Sequence, residues 1–395
     1  MNEKAYELGA KRSEIRELYE YGVKRKAEIG EKNVFDFSLG NPAAPAPEEV
    51  KEEIIKLLER DPVAVHGYTS AAGDITVRRA IADYINGKFA AKEKAELIYL
   101  TCGAAAALSA AIGGILKRGE EIIVFAPFFP EYKVFIENAG GSVKIVPCGK
   151  DFIPDAEILR KEITENTRAA IINSPNNPTG AVIPEKRLKE IAAVLKEKSE
   201  EYSSPVYLIA DEPYRDVVYD GVSVPFPTKY YDDTIVCYSF SKSLSLPGER
   251  IGYAIVGSKC RDAEKVFLSL AGSARAQGYV CAPALFQKII PALLGKTADI
   301  SVYKENRDIL LNGLKETGYE VVKPDGAFYL FVKALEKDAK AFSERAKKYE
   351  LLVVPSDSFG VEGYVRIATC VSRETAVNSL SAFRKLYGDY KNERT

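Results

Sequence analysis

Hydrophobic positions in the middle of the chain fall in short uninterrupted runs rather than in alternation. Seven such runs lie between residues 95 and 256: LIYL (97–100), EIIVFA (121–126), SVKIVP (142–147), AAIIN (169–173), VYLIA (206–210), TIVCYS (234–239) and IGYAIV (251–256). Short apolar runs rich in β-branched residues predict strands buried on both faces. Helical patterns fit between most of them, for example at 104–116, 130–139 and 184–198. Doubly buried strands separated by helices predict a mainly parallel sheet covered on both sides.

The two ends of the chain read differently. Residues 3–28 place Ile15, Leu18, Tyr19 and Val23 at helical spacing and predict one amphipathic helix. In the loop FSLGNPAAPAPEEV that follows, Pro47-Glu48-Glu49 opens a new helix. Beyond a long helical stretch at roughly 261–316, EVV (320–322), AFYLFV (327–332), LLVVP (351–355) and YVRIA (364–368) predict further strands, closed by a helix from Glu374 to Tyr387. The expected fold class is α/β. A large domain (46–295) holds a mainly parallel seven-stranded sheet, and a smaller α+β domain is built from both chain ends, 1–45 and 296–395.

Composition narrows the function classes. The 395 residues suffice for two packed domains. With 55 basic against 56 acidic residues, no global field favours nucleic acid or an anionic membrane. Any bound anion must be met by a local cluster. The six cysteines are scattered without a C-x-x-C, which predicts reduced thiols rather than a disulfide framework or a zinc site. The first residues carry charge throughout, and no apolar stretch is long enough to span a bilayer, so the expected location is the cytoplasm. One histidine, His66, rules out multi-histidine metal sites and, unless it takes part itself, histidine-based triads. No metal is expected.

In open α/β sheets ligands collect outside the carboxyl ends of the strands. Three of those ends carry polar residues that packing does not require: AAIIN runs into Ser174-Pro-Asn-Asn-Pro-Thr-Gly180, VYLIA into Asp211-Glu-Pro-Tyr214, and TIVCYS into Ser239-Phe-Ser-Lys242-Ser-Leu-Ser-Leu-Pro-Gly-Glu-Arg250. In this order, with an arginine in the downstream YVRIA strand, these segments resemble the class I/II aminotransferases of pyridoxal-phosphate (PLP) fold type I. The resemblance runs along nearly the whole chain.

That resemblance implies PLP as cofactor, held by Lys242 as a Schiff base, with Lys242 then acting as the base that moves a proton at the substrate Cα. Asp211 matches the partner of the pyridine nitrogen, although an aspartate at a strand end is also a common helix N-cap. Tyr214 and Asn177 match the residues that bond the cofactor's phenolate oxygen, although an asparagine in N-N-P can be a plain turn residue. Gly103, Ala104 and Ala105 match the backbone phosphate turn, with Ser239, Ser241 and Arg250 supplying side chains. Phe129 matches the aromatic stacked on the ring, where a core phenylalanine is the plainer alternative, and Tyr132 lines the same wall. Tyr68 matches a tyrosine that reaches the neighbouring subunit's phosphate, implying a homodimer with shared sites, whereas His66 reads as structural. Arg366, helped by the backbone of Gly40, matches the fork for the substrate α-carboxylate, unless it faces outward from its strand.

The implied activity is transamination between an amino acid and a 2-oxo acid. Another fold-type-I activity, a C–S β-lyase or a decarboxylase, would use the same cofactor pocket. A PLP-binding regulatory module fits less well, because no winged-helix segment precedes the PLP-binding part and the net charge is −1. The resemblance implies that dicarboxylate-specific members often carry a second arginine, lent by the partner subunit, at a position that falls near Gly278 here; Arg275 and Tyr279 are its neighbours.

Overall fold

A computed structural model describes residues 1–10 and 13–393. The chain divides into two compact units: residues 44–177 with 181–299, and residues 1–43 with 178–180 and 300–395.

The larger unit is built on a seven-stranded sheet. Its spatial order is Ile98–Thr101, Gly252–Val256, Thr234–Ser239, Tyr207–Asp211, Thr167–Asn173, Glu121–Ala126 and Ser142–Pro147. Five of these strands, from Thr234–Ser239 to Ser142–Pro147, pair in parallel, and Gly252–Val256 runs antiparallel to both of its neighbours. The expected mainly parallel sheet is therefore present, and the antiparallel member has a simple cause. A parallel return needs a long crossover connection, whereas the segment between Ser239 and Gly252 is a tight loop with two short helical turns, Phe240–Ser243 and Pro247–Glu249. Side chains such as Ile123, Leu208, Val236 and Ile255 form one core with the covering helices. The stretch at 261–316 resolves into three helices, Ala263–Ala276, Ala284–Leu293 and Ser301–Thr317.

The smaller unit corrects two expectations. The single helix over 3–28 is two, Glu3–Ala10 and Glu14–Ile29; Ser13 caps the second by accepting the Arg16 backbone N–H. LLVVP is not one strand. Leu351–Leu352 pairs in parallel with Phe35–Asp36, while Val354–Pro355 joins the antiparallel sheet beside Tyr364–Ala368, with Tyr329–Lys333 and Val321–Val322 completing it. The predicted strand over 364–368 forms as read. Among the described residues, no helix is long and apolar enough to cross a membrane.

Candidate active site

Strand register decides which polar residues meet. Ser239 pairs with Gly252, and Gly252 with Thr101 on the other side. Because Gly252–Val256 returns antiparallel, residues 240–251 stay at the same end of the sheet as the turn after Thr101. Two further strands end there in register: Asp211 lies beside Cys237, and Asn173 beside Asp211. Lys242, Arg250, Gly103, Asp211 and Asn177 thus share the carboxyl edge of one sheet.

The turn at Gly103 is shaped for close approach. Gly103 has φ +83°, and a Cβ there would come within 2.7 Å of Arg250 Nη2. Arg250, itself left-handed at φ 53°, donates to the Cys102 carbonyl at 3.2 Å and to the Pro247 carbonyl at 2.9 Å. Its guanidinium remains exposed at the rim. Gly103 starts helix Ala104–Ile115, whose first N–H groups have no acceptor within the helix. Ala104 and Ala105, half-buried and exposed, offer backbone donors there. Ser239 caps the turn that bears Lys242 by accepting the Ser241 N–H, and the Ser239 and Ser241 hydroxyls lie 2.6 Å apart. Lys242 is half-buried, with Nζ 5.9 Å from the centre of the Tyr214 ring.

Asp211 is the most constrained group of this edge. No helix starts at its strand end, so it is not an N-cap. The side chain is 4% exposed; Oδ2 accepts from the Tyr132 hydroxyl at 2.5 Å and from Asn173 Nδ2 at 3.3 Å, while the buried Oδ1 has no partner. Burial pushes its pKa up to about 7, against the lowering effect of the Tyr132 bond. Asn177 is buried, its N–H donating to Asn173 Oδ1 at 2.7 Å, and Tyr214 is buried as well. Phe129 is half-buried and stands edge-on to Tyr132, with ring centres 5.7 Å apart.

Sequence reasoning placed Tyr132 on a wall and passed over Asn173; both hold the Asp211 carboxylate. Their signal is faint in one dimension, since it depends on which strands are neighbours. Tyr68 is 100% exposed, and His66, at the end of the short helix Pro62–His66, is exposed too.

Gly40 and Arg366 belong to the smaller unit. Arg366 points inward from its strand, 2% exposed. Its Nη2 donates to the Ser38 carbonyl at 2.6 Å, and the guanidinium lies 4.6 Å from the Tyr329 ring centre and 5.3 Å from that of Phe359. Two aromatic faces and a carbonyl hold the fork in one plane. A Cβ at Gly40 would overlap the Tyr329 hydroxyl, so only glycine lets this backbone pass.

A doubly wound sheet with a lysine, a buried carboxylate and an anion turn on its carboxyl edge is the frame of a PLP enzyme. The chain belongs to the aminotransferase class I and II family, whose model matches residues 32–383. It is similar to the crystal structure of an aminotransferase from Eubacterium rectale, at 51% identity over 99% of both chains with a TM-score of 0.97. It is 30% identical to the aspartate aminotransferase of Thermotoga maritima, over 96% of this chain and 97% of the other. It is also 30% identical to a probable N-acetyl-LL-diaminopimelate aminotransferase of Bacillus subtilis, over 91% of each.

PLP is the family's cofactor, and two features of this chain fit it. The partnerless Oδ1 of Asp211 is a buried acceptor waiting for a cationic N–H. The cradle between Gly103 and Arg250 would be filled by a single Cβ, so it suits a group that must touch backbone.

Proposed function

We propose that this enzyme moves the amino group of an L-amino acid to a 2-oxo acid in two half-reactions at one PLP site, with ping-pong kinetics. The observation that carries the reading is the Asp211 carboxyl, buried and with one oxygen left for a cation. When bound, PLP is an electron sink for the substrate Cα, and works best with its pyridine nitrogen protonated. Asp211 would hold that N–H, and Tyr132 and Asn173 would hold Asp211. Tyr214 and Asn177 would bond the phenolate oxygen, and Phe129 would cover one face of the ring. Backbone N–H groups at Gly103, Ala104 and Ala105, with Ser239, Ser241 and Arg250, would bind the phosphate. Lys242 Nζ would anchor the cofactor and serve as the base that moves a proton between the substrate Cα and the cofactor's C4′ carbon. Arg366 would receive the α-carboxylate, assisted by the backbone of Gly40.

The active form is read as a homodimer in the cytoplasm. Tyr68 is fully exposed and Val63 is 78% exposed, and all six cysteines are free thiols, as a reducing compartment keeps them. The amino donor is read as neutral or aromatic at least as readily as acidic. Relatives of equal identity are named for different substrates, and the loop at 278 offers no cation of its own: Gly278 is exposed at φ +79°, with exposed Arg275 in the last turn of the preceding helix. A distal carboxylate left without a cation is costly to desolvate.

Borohydride treatment of the PLP-loaded protein should fix the cofactor on Lys242; an adduct on another lysine would refute the site. Under one acceptor, kcat/KM for leucine, phenylalanine, methionine or alanine should reach that for aspartate in at least one case. A preference for aspartate beyond about a hundredfold, near 2.7 kcal/mol, would mean that a cationic clamp exists, with Arg275 the first residue to replace.

A further inference from the structure

Directly behind the carboxyl edge lies a buried cluster of charges that the reaction scheme does not use. Glu212, next to Asp211, is 2% exposed and accepts from Arg215 Nε at 2.5 Å. Arg215 is 4% exposed, donates to the Tyr253 hydroxyl at 3.1 Å, and sits 4.7 Å from the centre of the Tyr238 ring. Asp216 pairs with Lys88 at 2.7 Å. Burial pulls the Asp216 carboxyl upward, but Arg215, Lys88 and its hydrogen bonds outweigh that and hold it below the ordinary range. Glu212 and Arg215 thus pair inside the fold, while Asp216 is paired at the surface by the exposed Lys88. Ion pairs of this kind seldom stabilise more than well-packed apolar residues would, which directs attention to geometry.

The geometry converges on one phenol. The Tyr238 hydroxyl donates to Asp216 Oδ2 at 2.7 Å and lies 2.8 Å from the Ser243 hydroxyl. Ser243 follows Lys242 and closes the four-residue turn that presents it. The Ser243 carbonyl is in turn held by the Ala298 N–H at 2.7 Å. Tyr238 is 3% exposed, stacked at 4.9 Å on Tyr253 and edge-on to Phe240, so its ring has no freedom to follow a moving turn. One end of the network is bonded to the residue after Asp211, the other to the residue after Lys242.

We propose that Tyr238 is a positioning residue for the reaction: its hydroxyl, anchored by Asp216, fixes the Ser243 end of the lysine-bearing turn and so sets where Lys242 Nζ stands relative to Asp211. The inference rests on Lys242 and Asp211 having the roles given above. It needs no contact between Tyr238 and substrate or cofactor. A displacement of a reacting group by an ångström or less is enough to slow a step about a hundredfold.

The test uses the PLP-loaded enzyme with Tyr238→Phe, Ser243→Ala and the double variant. Tyr238→Phe should lower kcat by about 10- to 100-fold, with KM for the amino donor changed by less than about threefold. The pH titration of the cofactor's visible band should shift in both single variants. The double variant should shift no further than the larger single one, because both remove the same link. A wild-type titration and kcat in Tyr238→Phe would overturn the proposal. So would additive shifts, or a loss of kcat matched by a loss of bound cofactor with the titration unmoved, which marks general loosening. If Tyr238→Phe fails to fold, Ser243→Ala carries the same spectral and kinetic readouts at the other end of the bond. Mapping of the borohydride adduct is independent: an adduct away from Lys242 removes the parent reading, whereas an adduct on Lys242 with an unchanged Tyr238→Phe removes only this one.

Discussion

A carboxyl group shut away from water is a poor anion unless something stabilises its charge, and Asp211 is balanced at that boundary. Its folded pKa, about 7, stands above the ordinary 3.8 because burial outweighs the bond from Tyr132. Between these values the folded cofactor-free protein keeps a proton that the unfolded chain releases. The contribution of Asp211 to stability is therefore complete below pH 4 and is lost as pH rises toward 7. Asp211→Asn removes this dependence; the unfolding free energy of the cofactor-free variant should fall less between pH 4 and 7, by roughly 4 kcal/mol at most, as denaturant titrations can check. Tyr132→Phe removes a bond to the charged form, so the pH midpoint for cofactor affinity should rise by about one unit. An unmoved midpoint would exclude Tyr132 as the support of Asp211. In the smaller unit, Arg366→Lys keeps the charge and loses the fork held between Tyr329 and Phe359. We expect kcat/KM to fall by about 10- to 100-fold for every amino donor alike, and a loss confined to one donor would contradict α-carboxylate recognition.

At the scale of elements, the turn after Thr101 depends on two glycines on neighbouring segments. Gly103 leaves room for Arg250, and a Cβ on Gly252 would press on the Tyr238 carbonyl and come within 2.9 Å of Gly103 Cα. Gly103→Ala must also hold a φ of +83°, which alanine disfavours by about 1 kcal/mol or more. Its affinity for PLP should drop about tenfold or more by equilibrium dialysis, with the melting temperature of the cofactor-free protein lowered by only a few degrees. Gly252→Ala should lower both, since it disturbs two strands at once. Arg250→Lys keeps a cation at the rim and should lose less affinity than Gly103→Ala.

For the whole molecule, the exposed side chains of the larger unit carry the assembly argument. Tyr68 with no burial at all, Val63 at 78% and Leu268 at 67% leave apolar surface that a partner subunit would cover. Sedimentation at assay concentration should show a dimer or a larger species, and Tyr68→Phe should weaken PLP binding without dissociating it. A fully active monomer would exclude shared sites. PLP binds the folded state alone, so the melting temperature should rise with PLP concentration.

The sequence by itself determined the seven strand runs and the family, because doubly buried strands leave short apolar runs and the motifs S-P-N-N-P-T-G, D-E-P-Y and S-F-S-K lie contiguous in the chain. Lys242, Asp211 and Arg250 stand out as candidates for the same reason, and Arg366 as the arginine of the downstream YVRIA strand. What the tertiary structure alone decided depends on strand neighbours. The adjacency of Asn173 to Asp211, the Tyr132 bond across 79 positions, and the convergence of Asp216 and Ser243 on Tyr238 exist only once register is set. The same holds for LLVVP, a uniform apolar run whose halves enter different sheets. Apolar patterning records how deeply a segment is buried; it carries nothing about which partner buries it, and hydrogen bonds between distant side chains are decided by that partner.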